Sequence, residues 1–292
     1  MINKLEHILS INNITGEGPI WNIDEQTLYW VDVLKHRIYR LAPRTGKSEF
    51  FDIGISISAI AFRKSGGLLL ATKDGLAFWN DHSDKLQFIV DHCKFKTNAP
   101  LNDGAVDRQG RFWVGTWSGD SSNLPANNLY RLDPDETLKV METGIHLSNG
   151  IGWSPDNKFM YYTDSSIHII YKYDFDLSSG EIENKRIFIK TPDDEGEPDG
   201  LKVDSEGFVW SARWDGWKIS RYDPMGKIER EFKLPVQRPT SICFGGKDLC
   251  DLYITSAQFG LSKKEKERQP FAGNLFKIRT DIKGLEESKF LG

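Results

Sequence analysis

A short pattern recurs six times along this chain of 292 residues. Each copy holds small residues, a strand, an acidic turn, a second strand ending in aromatic residues and a polar loop. The copies open near positions 18, 60, 104, 150, 200 and 241, at steps of 41 to 50 residues. A period of roughly 40–50 residues with short strands is typical of β-propellers, which have four strands in each blade. We therefore predict one all-β domain over residues 1–292, a six-bladed β-propeller with four antiparallel strands in each blade.

The N-terminus is predicted to close this ring. Residues 7–11, His-Ile-Leu-Ser-Ile, form an apolar segment before the first copy and have no blade of their own. The last copy supplies only three strand-like segments, so an outermost strand from the N-terminus would complete it and cover its free edge. The charged segment 261–270 is expected to be a solvated loop.

Composition excludes several classes of function. The net charge is −4 with acidic and basic residues mixed, so the sequence shows no basic cluster of the kind that binds nucleic acid. The chain has no apolar leader and no run of 18 apolar residues, so no membrane partner is expected. Its three cysteines, Cys93, Cys243 and Cys250, lack metal-binding spacing and suit buried thiols in a reducing compartment. We expect a cytoplasmic protein, either a monomer or a weak homo-oligomer.

Four oxygen-bearing side chains share one slot of the repeat. The innermost strand of each propeller blade lines the central channel, and the alignment of the copies places these residues at or near its start in blades one, three, four and five. They are Glu17, Asn102, Asn149 and Asp199. Oxygen donors that converge from separate blades suit a hard divalent cation. Two buried carboxylates without a counter-ion would repel each other, and a cation removes that cost.

Turns are the alternative interpretation of the same residues. Asn-Gly and Asp-Gly are common turn dipeptides, and they occur at positions 149–150, 199–200 and, with Asp103, at 102–104. However, Glu17 occupies the same slot without any turn propensity. An apolar run also follows each pair at once, which favours the start of a strand over the tip of a hairpin.

The openings together resemble one known family. The matching segments are 16–21 (Gly-Glu-Gly-Pro-Ile-Trp), 102–104 (Asn-Asp-Gly) with 110–116 (Gly-Arg-Phe-Trp-Val-Gly-Thr), 148–156 (Ser-Asn-Gly-Ile-Gly-Trp-Ser-Pro-Asp) and 198–204 (Pro-Asp-Gly-Leu-Lys-Val-Asp). They are similar to the senescence-marker-protein/gluconolactonase/regucalcin family over essentially the whole chain. Its members are mostly lactonases that act on sugar lactones, whereas some are calcium-binding regulators and others hydrolyse different esters or lactones.

The resemblance implies a site with named residues. It implies one divalent cation at the channel, with Glu17, Asn149 and Asp199 as its ligands. It also implies that Asn102 and, more loosely, Asp120 contact the substrate. Oxygen ligands accept Ca, Zn, Mg, Mn or Fe, so the identity of the ion is left open.

The implied reaction is metal-dependent hydrolysis of an aldonolactone, such as a glucono- or pentonolactone, to its aldonic acid. A bound cation would polarise the carbonyl, and Asp199 is our candidate for the general base that takes the proton of the attacking water. The alternative is that Asp199 serves only as a ligand. Two other functions stay open: a calcium-binding regulator of the regucalcin kind, and a hydrolase of a non-sugar lactone or ester.

One position departs from the family pattern. Many sugar-lactonase members carry an arginine two residues before the asparagine that matches Asn102, and this chain has Pro100 there. Proline has no side-chain donor, so one substrate contact is absent and the resemblance does not specify which lactone is the substrate. Three tryptophans follow second strands of their blades and could form pocket walls; they are Trp117, Trp214 and Trp217.

Overall fold

The protein folds into six four-stranded antiparallel sheets. The structure is a computed structural model and describes residues 3–81, 85–96, 98–119 and 126–292. Neighbouring innermost strands contact one another around a central axis, which makes each sheet one blade of a ring. The prediction of a six-bladed β-propeller is therefore confirmed.

The strands are numbered in chain order, beginning with β1 (Leu5–Leu9). Listed from the axis outward, blade one holds β2 (Gly16–Asn22), β3 (Thr27–Asp32), β4 (Arg37–Ala42) and β5 (Lys47–Asp52). Blade two holds β6 (Ile57–Phe62), β7 (Leu68–Thr72), β8 (Gly75–Trp79) and β9 (Gln87–Asp91). Blade three holds β10 (Leu101–Val106), β11 (Phe112–Thr116), β12 (Asn127–Leu132) and β13 (Leu138–Ile145). Blade four holds β14 (Ser148–Trp153), β15 (Phe159–Asp164), β16 (Ile169–Phe175) and β17 (Ile182–Lys190); blade five holds β18 (Glu197–Val203), β19 (Val209–Trp214), β20 (Lys218–Tyr222) and β21 (Ile228–Lys233); blade six holds β22 (Pro239–Gly245), β23 (Asp251–Ser256), β24 (Leu275–Arg279) and β1.

The N-terminal strand closes the ring as predicted. Strand β1 pairs antiparallel with β24, with Leu5 opposite Ile278 and His7 opposite Phe276. It is the outermost strand of blade six, so the first and last strands of the chain meet in one sheet. This pairing covers the backbone edge that β24 would otherwise present to solvent.

A short helix, α1 (Lys263–Arg268), lies between β23 and β24, where a loop was expected. That expectation was wrong because Ser262 and Glu265 form a capping box. The hydroxyl of Ser262 accepts from the backbone of Glu265 at 3.3 Å, and the carboxylate of Glu265 accepts from the backbone of Ser262 at 2.8 Å. Among the residues that the structure describes, three 3₁₀ turns complete the elements: His92–Lys94, Ser165–Ile167 and Asp193–Glu195. Across the described ranges, no helix has the length and apolar character needed to cross a membrane.

Aromatic side chains pack one blade against the next. The rings of Trp21 in blade one and Tyr253 in blade six stack at 5.4 Å between centroids. Edge-to-face pairs join blades three and four through Trp113 and Trp153 at 6.0 Å, and blades five and six through Trp210 and Phe244 at 5.5 Å. Such pairs contribute stability beyond the area that they bury, which explains the aromatic endings of the repeat.

The acidic turn of the repeat has a structural role in two blades. Asp107 and Asp204 are fully buried and follow the innermost strands of blades three and five. Each carboxylate accepts two backbone N–H groups of the following turn. Each also accepts the indole N–H of the next strand, from Trp113 at 2.9 Å and from Trp210 at 2.8 Å. These aspartates are therefore structural and do not belong to the functional site.

The C-terminal residues 280–292 run along one face of the propeller. The backbone N–H of Phe290 donates to the carbonyl of Phe62, the last residue of β6, at 2.8 Å, and the Phe290 side chain is buried. The ammonium of Lys202 donates to the carboxylate of Glu287 at 2.6 Å. These contacts are made at the far ends of the innermost strands, opposite the ends that carry the candidate site.

Candidate functional site

Every innermost strand has an irregular register near its start. In β10, Leu101 pairs with Thr116 and Gly104 pairs with Val114, so Asn102 and Asp103 together face a single residue of β11. The same shift occurs in β2, β6, β14, β18 and β22. Bulges of this kind turn side chains away from the regular pleat and are common beside active sites.

The bulges contain or adjoin all four predicted oxygen donors. Asn102, Asn149 and Asp199 lie within the bulges of β10, β14 and β18, and Glu17 borders the bulge of β2. These segments are strands, so the interpretation of the Asn-Gly and Asp-Gly pairs as turns was wrong.

The glycines after Asn149 and Asp199 are there because the blades approach closely. A Cβ atom on Gly150 would lie 2.4 Å from Cβ of Leu201, and one on Gly200 would lie 2.2 Å from Oγ of Ser241. Glycine thus lets neighbouring innermost strands pack together while the residue before it faces the axis.

The four donors line one cavity of about 450 Å³ at this end of the axis. Trp117 and Trp214 also line it, as predicted, whereas Trp217 does not. No lysine, arginine or histidine is found among the described residues that line this cavity. Asp120, the other predicted substrate contact, lies outside the described residues.

A chain of hydrogen bonds fixes the two amides. Nδ2 of Asn102 donates to the backbone carbonyl of Ser148 at 2.7 Å and to Oδ1 of Asn149 at 2.9 Å. Nδ2 of Asn149 donates to Oγ of Ser165 at 2.8 Å, and that hydroxyl donates to the carbonyl of Pro198 at 2.6 Å. Both N–H groups of the Asn102 amide are thus engaged, which leaves its carbonyl oxygen available as an acceptor.

The carboxyl groups at this end of the channel lie in surroundings that disfavour their ionised forms. Burial, with the nearby charge of Asp103, raises the pKa of Glu17 well above its usual range. Burial and then the charges of Glu17 and Asp103 raise the pKa of Asp199 in the same direction. Burial also raises the pKa of Asp103, deeper in the channel, to about 6. Burial, which disfavours the ionised form, is the main cause of this shared direction, and repulsion between neighbouring carboxylates adds to it for Glu17 and Asp199.

This donor set fits a divalent cation. No group of three or more His, Cys, Asp or Glu side chains in the described part of the chain is arranged as a metal site. The candidate set is instead mixed, with carboxylates from Glu17 and Asp199 and the amide oxygen of Asn149. Hard oxygen donors of this kind suit such an ion, whose charge would balance the two buried carboxylates.

Sequence reasoning missed several lining residues. Glu197, Ser165 and Phe259 line the same cavity. Ser165 and Phe259 lie outside the first strand of the repeat, so the repeat alignment carried no signal for them. Glu197 stands two residues before Asp199, and its position at the start of β18 could have pointed to it.

His146, the histidine nearest to a motif, supports the site from outside. Its ring lies 3.1 Å from the carboxylate of Asp164, which also accepts the backbone N–H of Leu147 at 2.9 Å. Asp164 thereby holds the segment that leads into β14. His146 is not among the residues that line the cavity.

Comparison with known proteins relates the whole chain to one family. The family model described as SMP-30/Gluconolactonase/LRE-like region matches residues 15–258. Regucalcin from Danio rerio is 36% identical over 292 residues, an alignment that covers 99% of each chain. The 6-deoxy-6-sulfogluconolactonase from Pseudomonas putida is 34% identical over 295 residues and is covered, like this chain, over 100% of its length.

A solved structure has the same architecture. The calcium-binding protein regucalcin from Agrobacterium tumefaciens aligns with a TM-score of 0.93, covering 99% of this chain and 97% of that chain. The two sequences are 24% identical, so this likeness concerns the fold.

Proposed function

The chain belongs to the SMP-30/gluconolactonase/LRE-like family, and from this premise we propose that it is a metal-dependent lactonase that converts a sugar lactone into its aldonic acid. The observation that carries the proposal is the convergence of Glu17, Asn149 and Asp199 from three blades on one open cavity. The relative named 6-deoxy-6-sulfogluconolactonase supports a lactone as the class of substrate.

Glu17, Asn149 and Asp199 would hold one divalent cation, with Ca, Zn, Mg, Mn and Fe all compatible with oxygen ligands. When bound, such an ion supplies Lewis acidity toward the lactone carbonyl and favours deprotonation of water. The aromatic rings of Trp117 and Trp214 form walls on which a sugar ring could lie.

The residues of the chain would position the substrate and move the proton. The free carbonyl oxygen of Asn102 would accept a hydrogen bond from a substrate hydroxyl. Asp120 would make a further substrate contact. Asp199 is our candidate for the general base, with the oxygen that is not a ligand taking the proton of the attacking water. The reaction adds one water, breaks the ring ester bond and leaves a carboxylic acid and a hydroxyl on one chain.

Two other functions are kept as alternatives. A calcium-binding regulator is favoured by relatives named regucalcin, and it would need the ligands but no substrate pocket. A hydrolase of a non-sugar lactone or ester is favoured by apolar lining residues at the cavity mouth, such as Leu34 and Phe259. A screen of sugar lactones together with non-sugar lactones and esters would distinguish the three, since a regulator would hydrolyse none of them.

The decisive experiment is an activity screen with metal-stripped protein. Aldonolactones with five- and six-membered rings would be tested while single divalent ions are added back. We expect hydrolysis to vanish on stripping, to return with at least one ion and to accompany about one ion per chain. A Glu17→Ala, Asp199→Ala double variant, which removes both ligand side chains, should lose the ion, whereas Glu183→Ala, at an exposed position in blade four, should keep it. Activity that survives complete stripping would contradict the metal-dependent mechanism.

We also propose that the protein acts in the cytoplasm, since Cys93, Cys243 and Cys250 are all free thiols. A monomer or a weak homo-oligomer is proposed as its assembly state.

A further inference from the structure

We propose that Glu197 determines substrate specificity by accepting a hydrogen bond from a donor group on the lactone, so that neutral or cationic lactones are favoured over anionic ones. This inference rests on the proposed lactonase function and adds the chemical class of the substituent.

Glu197 is placed for such a contact by the start of strand β18. It pairs across the sheet with Trp214, and both residues line the cavity that also contains Asp199. Its side chain is half-buried. Within the described part of the chain, its carboxylate has no hydrogen-bond or salt-bridge partner. A half-buried carboxylate without a partner is costly, and a donor on a bound ligand would satisfy it.

The balance of charge in the cavity also favours neutral or cationic substituents over anionic ones. A divalent cation would neutralise Glu17 and Asp199, which leaves Glu197 as the remaining acidic side chain on the described lining; His168 and Arg238, which do not line the cavity, act on its carboxylate from behind. The described lining residues include no lysine, arginine or histidine.

One of the basic residues behind this wall, Arg238, is already engaged. The guanidinium of Arg238 donates to the carboxylate of Asp215 at 2.6 Å and lies 4.8 Å from the ring centre of Trp214. An anionic substituent beside Glu197 would therefore lose its hydration without gaining a basic side chain as partner, next to a like charge. A hydroxyl or an ammonium group would instead meet an acceptor.

The test uses three lactams, cyclic amides that resist hydrolysis and differ only at carbon 6 of the sugar. The substituents are hydroxymethyl, aminomethyl (an ammonium in solution) and carboxylate. Binding to the metal-loaded full-length protein would be measured by calorimetry for wild type, Glu197→Gln and Asp194→Asn. Asp194 is an exposed acid on the neighbouring 3₁₀ turn and does not line the cavity, so its variant is the matched control.

We expect wild type to bind the ammonium lactam at least about tenfold more tightly than the carboxylate lactam, the size of one charged hydrogen bond. Glu197→Gln should lower this ratio by about tenfold, and Glu197→Lys should reverse the preference. Asp194→Asn should leave the ratio at the wild-type value. An unchanged ratio in Glu197→Gln, with metal content and melting temperature intact, overturns the inference.

Hydrolysis of a neutral aldonolactone by the same preparations separates the two proposals. If wild type hydrolyses the lactone but the Glu197→Gln variant keeps the wild-type ratio of lactam affinities, only the specificity inference fails. If wild type hydrolyses no lactone and binds no lactam, the proposed function fails, and the specificity inference fails with it.

Discussion

The side-chain amide of Asn102 donates a hydrogen bond of 2.9 Å to Oδ1 of Asn149, across the boundary between blades three and four. This contact settles the orientation of the Asn149 amide, because Nδ2 of Asn149 donates in turn to Ser165. The oxygen that would bind the cation is thus held by a residue from another blade.

Replacing Asn102 by alanine should weaken cation binding, although Asn102 is not itself a proposed ligand. Loss of a partner that orients a ligand typically costs 10- to 100-fold in metal affinity, and we expect a change of roughly that size. Titration of the stripped protein with single ions would measure it. Asn98→Ala, at an exposed position four residues earlier, is the matched control. Equal affinities in all three proteins would show that the hydrogen bond does not prepare the site.

Replacing Asp199 by asparagine should separate proton transfer from cation binding. The amide retains an oxygen for the ion but cannot take a proton, so turnover should fall by about 10²-fold or more. Steady-state kinetics on a protein of measured metal content would test this. Near-normal turnover by the metal-loaded variant would restrict Asp199 to a ligand role.

Replacing Asp103 by asparagine should stabilise the metal-free protein in a pH-dependent way. Asp103 faces a small channel cavity of about 20 Å³, and burial raises its carboxyl pKa from 3.8 to about 6. A raised carboxyl pKa means that the folded state holds the proton more tightly than the unfolded state does. Ionisation therefore lowers the free energy of unfolding as the pH rises from about 4 to 6, and the full cost is present above that range.

The variant should exceed wild type in unfolding free energy by up to about 3 kcal/mol near neutral pH, with the difference vanishing below about pH 4. Urea unfolding of both metal-free proteins across this range would measure the difference. A difference that is independent of pH, or that grows toward acid, would contradict the assigned burial of this carboxyl.

Replacing Pro100 by arginine should change which lactones are preferred. Pro100 is exposed, and its carbonyl accepts the backbone N–H of Trp117 at 3.0 Å, a contact that an arginine at this position can keep. A restored charged hydrogen bond of roughly 1.5–3 kcal/mol corresponds to about ten- to a hundredfold in selectivity. We expect wild type to favour neutral or smaller lactones and Pro100→Arg to gain relative activity on hexonolactones. An identical ranking of lactones in a folded, metal-loaded variant would exclude this position from specificity.

Deleting residues 1–12 should destabilise the entire ring. The deletion removes β1 and exposes the edge of β24, so we expect a lower melting temperature and lower solubility with a single unfolding transition. The single transition would also support one domain over residues 1–292. Glu6→Gln removes only a 3.5 Å surface contact with Lys277 and is the control. An unchanged melting temperature after the deletion would refute closure by β1.

The repeat made the architecture predictable because five of the six blades carry an acidic turn followed by a second strand with aromatic residues, and blade two keeps the spacing without them. The shared repeat position of Glu17, Asn102, Asn149 and Asp199 also predicted that these residues would lie close together, and they line one cavity. Periodicity of this kind says which residues share a position, and in a closed ring a shared position means convergence on the axis.

Features outside the period could not be found in this way. Ser165 reaches the cavity from a 3₁₀ turn, and Phe259 reaches it from the loop after β23. The helix Lys263–Arg268 was missed for another reason. The high charge of the segment favoured a loop, although Ser262 and Glu265 have the spacing of a capping box, which indicates the start of a helix. Trp117 and Trp217 both follow second strands and are both exposed, and only the three-dimensional path of the chain brings Trp117 to the cavity wall.

The repeated bulge makes the rim of the channel a set of six interchangeable positions. Blade two places Ser58 at its bulge, and blade six places Thr240 and Ser241 there. The backbone at these positions already turns a side chain out of the pleat, so exchanging serine for aspartate adds a charge at the axis without a new loop. Substitutions in one blade at a time can therefore change the charge at the channel rim, or the number of side chains that could bind an ion, while strand pairing elsewhere stays as it is.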